Sequence, residues 1–597
     1  MSKKLIFPFL LFSLFILSKN KKNLFSDNKD IRKLREEDTR SDDIIILHTN
    51  DVHCGLIDSI GYDGLMLYKK ELEMEYKNVL LVDAGDHIQG GAIGLLSNGS
   101  DIIDIMNEIG YNVTLIGNHE FDYGIDNLIQ CNKKLVNGYI SANFCLRKEK
   151  NKNSIFPAYK ILDVGNKKIA FIGVTTPQTL SKTYLHNILD EDGEMKYDFL
   201  SGDNGQELYE KIQYYINKVR GEGADYVIIL SHLGNEGDAL EQFTSSGMLS
   251  HLSGVDAMID GHTHKVYNIT TKDKYDNPIP LSQTGTKLTH LGVLKIKTDG
   301  TITSELLSEI PTPKNYKPMM VERNGVRRFV DPEMNSFINK IIISHSAQLN
   351  EKIGYSDYDL LINLDNSGDS SKQISRSEES TLCDLVADAI RDIGSGDICM
   401  INAGSIRADL KKGDITLQNV LDILPFSSDT IIKEVYGSDI LDALELGMKY
   451  LPNKTSRFPQ VSGISFKVDP KIKSPVIVDD EEMFVKVQGE RRVFDVKVGG
   501  KKIETNRKYR LSFDNYIGSG GDGFSMFNKY EEISNVLKTD NEAFSIYIKN
   551  KLRGIIPDIY REVQGRIVIE DKNSKSFGFY LSKSRVLEII LLITLLL

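Results

Sequence analysis

Five short apolar runs in the first half of the chain each end on residues that donate electron pairs. Ile44–Leu47 leads into His48-Thr-Asn-Asp51-Val-His53, Val79–Val82 into Asp83-Ala-Gly-Asp86, and Val113–Ile116 into Gly117-Asn118-His119-Glu-Phe-Asp122. Val227–Leu230 leads into Ser231-His232, and Met258-Ile259 into Asp260-Gly261-His262-Thr-His264. Carboxylate, imidazole and carboxamide are the hard and borderline donors that suit zinc or manganese. Asp51 and His53 are one residue apart, as are His262 and His264, so on extended backbone each pair points to one side. Such a set, gathered on one crevice, can hold divalent metal ions. A lone Asp-x-His is more often surface or structural; it is the succession of all five clusters that specifies the chemistry. None of the eleven histidines lies after His345, so imidazole chemistry belongs to the first half. His48, His87, His251 and His290 read as structural, and Cys54, beside His53, as packing rather than a ligand.

What must position these side chains is a layered core. Short apolar, β-branched runs alternate with stretches of helical period such as Asp101–Ile109, the signature of an α/β domain. In an open α/β sheet, residues at the carboxyl ends of several strands converge on one crevice. This domain is expected over residues 43–325, its last part, with Pro311, Pro313 and Pro318, reading as irregular. A helical connector is expected over 326–350, opening at Asp331-Pro332. Residues 351–570 place helices (Leu382–Asp392, Ser438–Leu451) before strands (Ile464–Val468, Phe494–Val498), which predicts an α+β domain.

The ends differ from the body. Lys3 and Lys4 followed by an apolar run to Leu17 match a signal peptide over 1–18, with 19–42 a charged, flexible leader. Residues 571–597 run from small residues (Asn573, Ser574, Ser576) through a polar spacer to an apolar tail from Val586, the layout of a glycolipid-anchor signal. Twelve apolar-tail residues rise about 18 Å as a helix, short of a roughly 30 Å hydrocarbon core. The expected location is the extracellular face of the cell membrane, lipid-anchored, with a secreted form as the alternative. Sequons at Asn98, Asn112, Asn268 and Asn453 suit that route. Five cysteines permit at most two disulfides, with Cys131–Cys145 and Cys383–Cys399 the neighbours expected to pair. A net charge of −11 argues against a nucleic-acid polymer as partner, though a metal site can still draw a small anion.

Taken together, Leu-His-Thr-Asn-Asp-Val-His53, Ala-Gly-Asp86, Gly-Asn-His-Glu-Phe-Asp122, Ser-His232 and Gly-His-Thr-His264 resemble the metallophosphatases of the 5′-nucleotidase type. The second half carries Ile-Asn402-Ala-Gly-Ser-Ile-Arg407, Leu-Pro425-Phe426 and Phe-Asp-Asn-Tyr516-Ile-Gly-Ser-Gly-Gly-Asp522-Gly-Phe, with Arg376 ahead of Glu379-Ser-Thr-Leu382. These resemble the substrate-binding domain of the same family, so the likeness runs from about Ile44 to Ile567. The resemblance implies an α/β/β/α sandwich followed by an α+β substrate domain. It also implies two divalent ions per chain: Asp51, His53 and His264 on one, Asn118, His232 and His262 on the other, Asp86 bridging. His119 and Asp122 match its catalytic pair. Phe426 and Tyr516 would sandwich a base, Asn402 contact it, Asp522 bind ribose hydroxyls, and Arg376 and Arg407 the phosphate. The chain departs from the family where Asn or Gln can replace His264, in Tyr516 where Phe is frequent, and in Ala403 and Ser405 in place of a commoner Gly-Gly.

The activity implied is hydrolysis of nucleoside 5′-monophosphates. An apyrase, a UDP-sugar hydrolase or a 2′,3′-cyclic nucleotide phosphodiesterase would use the same machinery. A rival of another class, an inactive cell-surface binding module, predicts a lost ligand, and none of the nine metal and catalytic positions is lost. A homodimer is expected by resemblance alone.

Overall fold

The structure is a computed structural model that describes residues 38–183, 188–189, 194–235, 240–323, 325–363, 372–533 and 538–572. The expected signal peptide, most of the leader and nearly all of the expected anchor signal lie outside the described residues. Among the described residues, no helix is long and apolar enough to cross a membrane.

The strands of the first half are, in chain order, β1 (Ser41–Thr49), β2 (Tyr76–Asp83), β3 (Val113–Leu115), β4 (Tyr139–Ile140), β5 (Cys145–Leu146), β6 (Tyr159–Val164) and β7 (Lys167–Thr175). There follow β8 (Tyr197–Asp198), β9 (Tyr226–His232), β10 (Ala257–Ile259), β11 (Val266–Lys272), β12 (Pro278–Thr284), β13 (Leu291–Ile296) and β14 (Ile302–Leu307). They make two six-stranded sheets, ordered β14-β13-β1-β2-β3-β4 and β11-β12-β10-β9-β7-β6, with β5 and β8 a separate ribbon. In β1, β2, β3, β7, β9 and β10 the apolar runs are unbroken because both faces are buried. On β1, Ile44 and Ile46 join Phe171, Ile228 and Leu230 of the other sheet in an inner layer. Ile45 and Leu47, pointing the other way, meet the helices Gly61–Glu75 and Ser100–Ile109. On the far side Val227 and Ile229 pack with Leu208, Ile212 and Ile216 of the helix Gln206–Gly221. Helix, sheet, sheet, helix is the α/β/β/α sandwich that the resemblance implies.

The proline-bearing residues 311–318 are irregular, as their composition indicates, and an ordered hairpin follows them. Met319–Arg323 and Val326–Val330 pair antiparallel, so the segment expected as a helical connector starts as a hairpin strand. The prolines lie before this ladder, where they remove none of its donors. The helix is Pro332–Leu349, capped by Asp331, whose carboxylate accepts from Met334 N at 2.8 Å. Met334 and Ile338 anchor it to the first half.

The second half holds a four-stranded sheet ordered Thr430–Tyr436, Lys508–Asp514, Ile398–Asn402, Pro459–Ser462, and another built on Val493–Val498, Ile464–Val468 and Ile567–Ile569. The helix Thr381–Gly394 covers one core and Gly437–Gly447 another. Ile398–Asn402 and Lys508–Asp514 run parallel, so Asn402 and the loop from Asn515 leave the sheet at the same end.

The expected disulfides are absent: all five cysteines are buried free thiols. Cys131 belongs to the core under the first sheet and Cys145 to the core under the second, so proximity in sequence does not bring them together. Cys383 and Cys399 share one core, yet both remain free thiols there. Of the sequon asparagines, Asn268 donates its amide to the Ser304 carbonyl at 2.7 Å, and Asn112 accepts from Leu81 N at 2.8 Å.

Candidate active site

β1, β2, β3, β9 and β10 deliver their ligand-bearing loops to one edge of the sandwich. Asp51 N donates to the Gly85 carbonyl (2.9 Å) and His53 N to the Asp86 carbonyl (3.0 Å), zipping the first two loops together. Glu120 clamps the second to the third, accepting from Asp86 N at 2.8 Å, His87 N at 2.9 Å and Gly117 N at 2.6 Å. Asp260 does the same for the fourth and fifth, accepting from Ser231 Oγ (2.7 Å), Ser245 Oγ (2.6 Å) and Leu233 N (3.1 Å). Asp51, His53, Asp86, His262 and His264 all have left-handed backbone, φ +46° to +80°. Non-glycine residues take that region at a cost of order 1–2 kcal/mol each, so the loops hold the donors against local preference.

Three clusters of donor atoms result: Asp51, His53 and His264; His53, Asp86 and His119; Asp86, His232 and His262. Their fit to cations can be judged from the lone pairs. His53 Nδ1–H donates to the Gln89 carbonyl (2.8 Å), which turns the Nε2 lone pair toward His264 Nε2 at 2.9 Å. His262 Nε2–H donates to Gln178 Oε1 (2.9 Å), leaving its Nδ1 lone pair facing Asn118 Oδ1 at 2.9 Å. His232 Nδ1–H donates to the Ala84 carbonyl (2.7 Å), and its Nε2 points at Asp86 Oδ2 (2.9 Å). Electron-pair donors aimed at each other at such distances repel unless a cation lies between them, and the hydrogen bonds on the outer ring nitrogens set the tautomers that metal ligation requires. Burial pushes His53 and His264 well below the usual imidazole range, which keeps them neutral ligands. Against its burial, Asp86 is held well below the usual carboxylate range by His232 and His119. Against its own burial, His232 is pushed up to about 10 by Asp86 and Asp51, a pull that a divalent cation between these groups would replace, displacing the Nε2 proton and freeing its lone pair. The residues fit a pair of divalent ions.

His119 stands beside these clusters. Its backbone N donates to Asp86 Oδ1 (2.8 Å), its Nδ1 lies 2.6 Å from Asp122 Oδ2, and its Nε2 lies 3.4 Å from Arg407. A cavity of 540 Å³ opens from here, lined by Asn118, His119, Asp122, His262 and His264 on one side. Arg376, Asn402, Arg407, Phe426, Tyr516 and Asp522 line the other. Every predicted substrate residue therefore reaches the same cavity as the predicted catalytic pair. The Arg407 guanidinium sits 5.1 Å over the Phe426 ring, which itself lies 5.7 Å from His119. Asn402, which lines the cavity, also holds Asp522 in place: its Nδ2 donates to Asp522 Oδ2 (2.7 Å) and its Oδ1 accepts from Ser405. Arg376 Nε donates to Gln373 Oε1 at 2.5 Å. Asn453, one of the sequons, is exposed and lines this cavity.

Sequence reasoning missed Gln178, Glu120's clamp, Lys182, Ser456 and the two cavity lysines Lys265 and Lys454. Gln178 and Lys182 follow the end of β7, a strand end with no donor motif of its own, and only its position in the sheet between β6 and β9 marks it. Cys54 is no ligand: its thiol donates to the Ile88 carbonyl at 3.0 Å, and burial pushes its pKa up to about 12. His48 is buried against Ser282, with burial lowering its pKa to about 3.

Comparison with known proteins agrees with this geometry. The profile of calcineurin-like phosphoesterases matches residues 44–266, which with the converging donors makes this chain a metal-dependent phosphoesterase. The profile of the 5′-nucleotidase C-terminal domain matches residues 354–529. The trifunctional nucleotide phosphoesterase protein YfkN of Bacillus subtilis (strain 168) is 27% identical over 576 residues, 88% of this chain and 35% of that protein. The chain thus spans about a third of that relative's length. A 5′-nucleotidase of Diplobatis ommata is 26% identical over 586 residues, 89% of this chain and 90% of that protein. In fold, the crystal structure of a 5′-nucleotidase precursor from Thermus thermophilus aligns with a TM-score of 0.70 at 23% identity, covering 89% of this chain and all of that one. The chain belongs to the 5′-nucleotidase family, with a calcineurin-like phosphoesterase domain followed by a 5′-nucleotidase C-terminal domain.

Proposed function

We propose that the protein is an extracellular 5′-nucleotidase that hydrolyses nucleoside 5′-monophosphates to nucleoside and phosphate. One observation carries the reading: the donor clusters and the His119–Asp122 pair open into the same cavity as two arginines, two aromatic rings and Asp522. In this reading Asp51, His53 and His264 hold one divalent ion and Asn118, His232 and His262 the other, with Asp86 shared. Zinc or manganese bound there would polarise the phosphoryl group and make a water acidic enough to attack at neutral pH. Arg376 and Arg407 fix the phosphate oxygens, for which a guanidinium fork is suited. Asp122 orients the His119 ring so that its outer nitrogen faces the phosphoryl group, where the protonated ring would meet developing negative charge. Phe426 and Tyr516 receive the base between their faces, a contact worth roughly 1–3 kcal/mol per ring. Asp522 takes the sugar hydroxyls.

A second reading has its own support. Among the described residues that line the cavity, Lys182, Lys265, Arg376, Arg407 and Lys454 stand with the carboxylates Asp122 and Asp522, in a chain of net charge −11. That is more positive charge than one phosphate requires, and it suits a nucleoside diphosphate or a UDP-sugar. The test is phosphate release from AMP by the purified protein with zinc or manganese, beside ADP, UDP-glucose and a 2′,3′-cyclic nucleotide, with Asp86→Ala as control. Release from AMP by wild type alone supports the monophosphate reading. Metal-dependent release confined to ADP or UDP-glucose moves the substrate and keeps the chemistry. Silence on every ester, with no bound divalent ion, would favour an inactive binding module.

The apolar chain ends support display on the outer face of the cell membrane through a C-terminal lipid anchor. Release of the protein from cells by a phosphatidylinositol-specific phospholipase C tests this, and retention after treatment counts against it. The homodimer suggested by family resemblance is tested by sedimentation of the purified protein, a monomeric mass refuting it.

A further inference from the structure

We infer that Lys182 is a further substrate-positioning residue, supplied by the first domain to the corner of the pocket where Asp522, Asn402 and Ser456 of the second domain stand. The inference rests on the nucleotide reading above. Lys182 ends a single helical turn, Thr179–Lys182, that follows β7. Its side chain is 9% exposed, and an ammonium so enclosed is costly unless paired. Its Nζ donates to Asp522 Oδ1 at 2.7 Å and to Ser456 Oγ at 2.7 Å, both on the second domain. One residue earlier the Ser181 carbonyl accepts from the Tyr516 hydroxyl at 2.9 Å. Three residues before that, Gln178 orients His262. One short segment therefore braces a metal-site imidazole and also forms the wall against which a nucleoside would rest.

The chemistry of this corner suits a vicinal diol. Asp522 is 1% exposed and receives Lys182 and Ser456 on Oδ1 and Asn402 on Oδ2. Lys182 compensates the buried carboxylate, and the ammonium and the Asn402 amide present N–H donors beside it. A ribose offers two O–H donors and two oxygen acceptors side by side, so a carboxylate flanked by an ammonium can meet both. A 2′-deoxy sugar offers only half of that set. Lys182 lines the cavity with Asp522, Asn402 and Ser456, so its charge faces the substrate space as well as the carboxylate.

The experiment compares wild type, Lys182→Met and Lys182→Arg on AMP, 2′-deoxy-AMP and para-nitrophenyl phosphate, which has no sugar. Wild type should prefer AMP to 2′-deoxy-AMP. Lys182→Met should lose about tenfold or more on AMP relative to para-nitrophenyl phosphate, the worth of one charge-assisted hydrogen bond, through KM rather than kcat. Its AMP to 2′-deoxy-AMP ratio should fall toward one, and Lys182→Arg should restore part of it. Adenosine binding by calorimetry on each variant, beside a thermal melt, gives the same comparison without turnover. Equal loss on AMP and 2′-deoxy-AMP, or an unchanged KM, would overturn the inference and leave Lys182 a mere tie between domains. If wild type hydrolyses no nucleotide, the nucleotide reading falls and the inference with it; if wild type turns over AMP and Lys182→Met keeps its sugar ratio, only the inference falls.

Discussion

His119 is held from both sides, by Asp122 at 2.6 Å on Nδ1 and by Arg407 at 3.4 Å on Nε2. A carboxylate so close fixes the ring's tautomer and orientation while the outer nitrogen stays in the cleft. Burial raises the Asp122 pKa, and the neighbouring His119 opposes that rise. Asp122→Asn keeps the volume and loses the charge, so kcat should drop by about 10²–10³, within the range for a positioned proton-transfer group. Metal content, measured by elemental analysis, should not change, because Asp122 belongs to none of the three donor clusters. A fall in metal equal to the fall in rate would assign Asp122 a different role. Gly117 tests the metal site itself. A Cβ there would lie 2.2 Å from Asp86 Oδ1 and 2.8 Å from Asp86 N, so Gly117→Ala must displace the shared carboxylate. We expect that variant to lose bound metal and at least about 10²-fold in rate, since overpacking costs about 1–3 kcal/mol and here falls on a ligand. Full activity in Gly117→Ala would show that the loop has room the geometry denies.

At the scale of elements, the strands that carry the donors were legible because their two buried faces make them apolar throughout and they stop where the donors begin. Helices were legible where period and caps agree, as at Asp331-Pro332. What the sequence hid depends on tertiary contact. Gln178 and Lys182 sit in a segment with no donor pattern, and Asn402 points to Asp522 because the two parallel strand ends bring them together. The hairpin Met319–Val330 was masked by prolines that precede it, and cysteine spacing said nothing of which core each thiol enters. One element carries a pH dependence of its own. Near the start of the helix Thr381–Gly394, Asp384 is pushed up to about 8 by burial and by Glu379, against Arg566, whose Nε lies 3.3 Å away. The folded state keeps a proton that the unfolded chain releases above about pH 4, so this group's contribution falls as pH rises from about 4 to about 8. The slope is at most about 1.4 kcal/mol per pH unit. Denaturant unfolding at pH 5, 6.5 and 8 should show a shallower decline for Asp384→Asn than for wild type. Parallel curves would mean that Arg566 keeps the carboxylate ionised throughout.

At the scale of the whole molecule, the two domains meet through polar contacts at the cleft and through an apolar contact beside it, where Leu421 joins the first domain's core. Lys182 reaches Asp522, the Tyr516 hydroxyl reaches Ser181, and Arg407 reaches His119. Arg147 pairs with Glu481 at 2.8 Å, partly in solvent, an interaction worth about 0–1 kcal/mol. Polar interfaces of this kind are the ones across which domains move, and a substrate enclosed by walls from both halves needs a way in. The chain has a place for that motion after the helix Pro332–Leu349, which is anchored to the first domain through Met334 and Ile338 and by His345 on Asp101 at 2.7 Å. If the domains rotate, the helix is expected to travel with the first domain, with the pivot at its end, near Asn350. Free protein should scatter X-rays as a mixture with a larger radius of gyration, and a non-hydrolysable nucleotide analogue should contract it. Lys182→Met, with one contact fewer across the cleft, should need more analogue to reach the same contraction. Scattering unchanged by an analogue whose binding is shown by calorimetry would mean that the cleft fills without domain rotation, leaving the closed arrangement as the resting form.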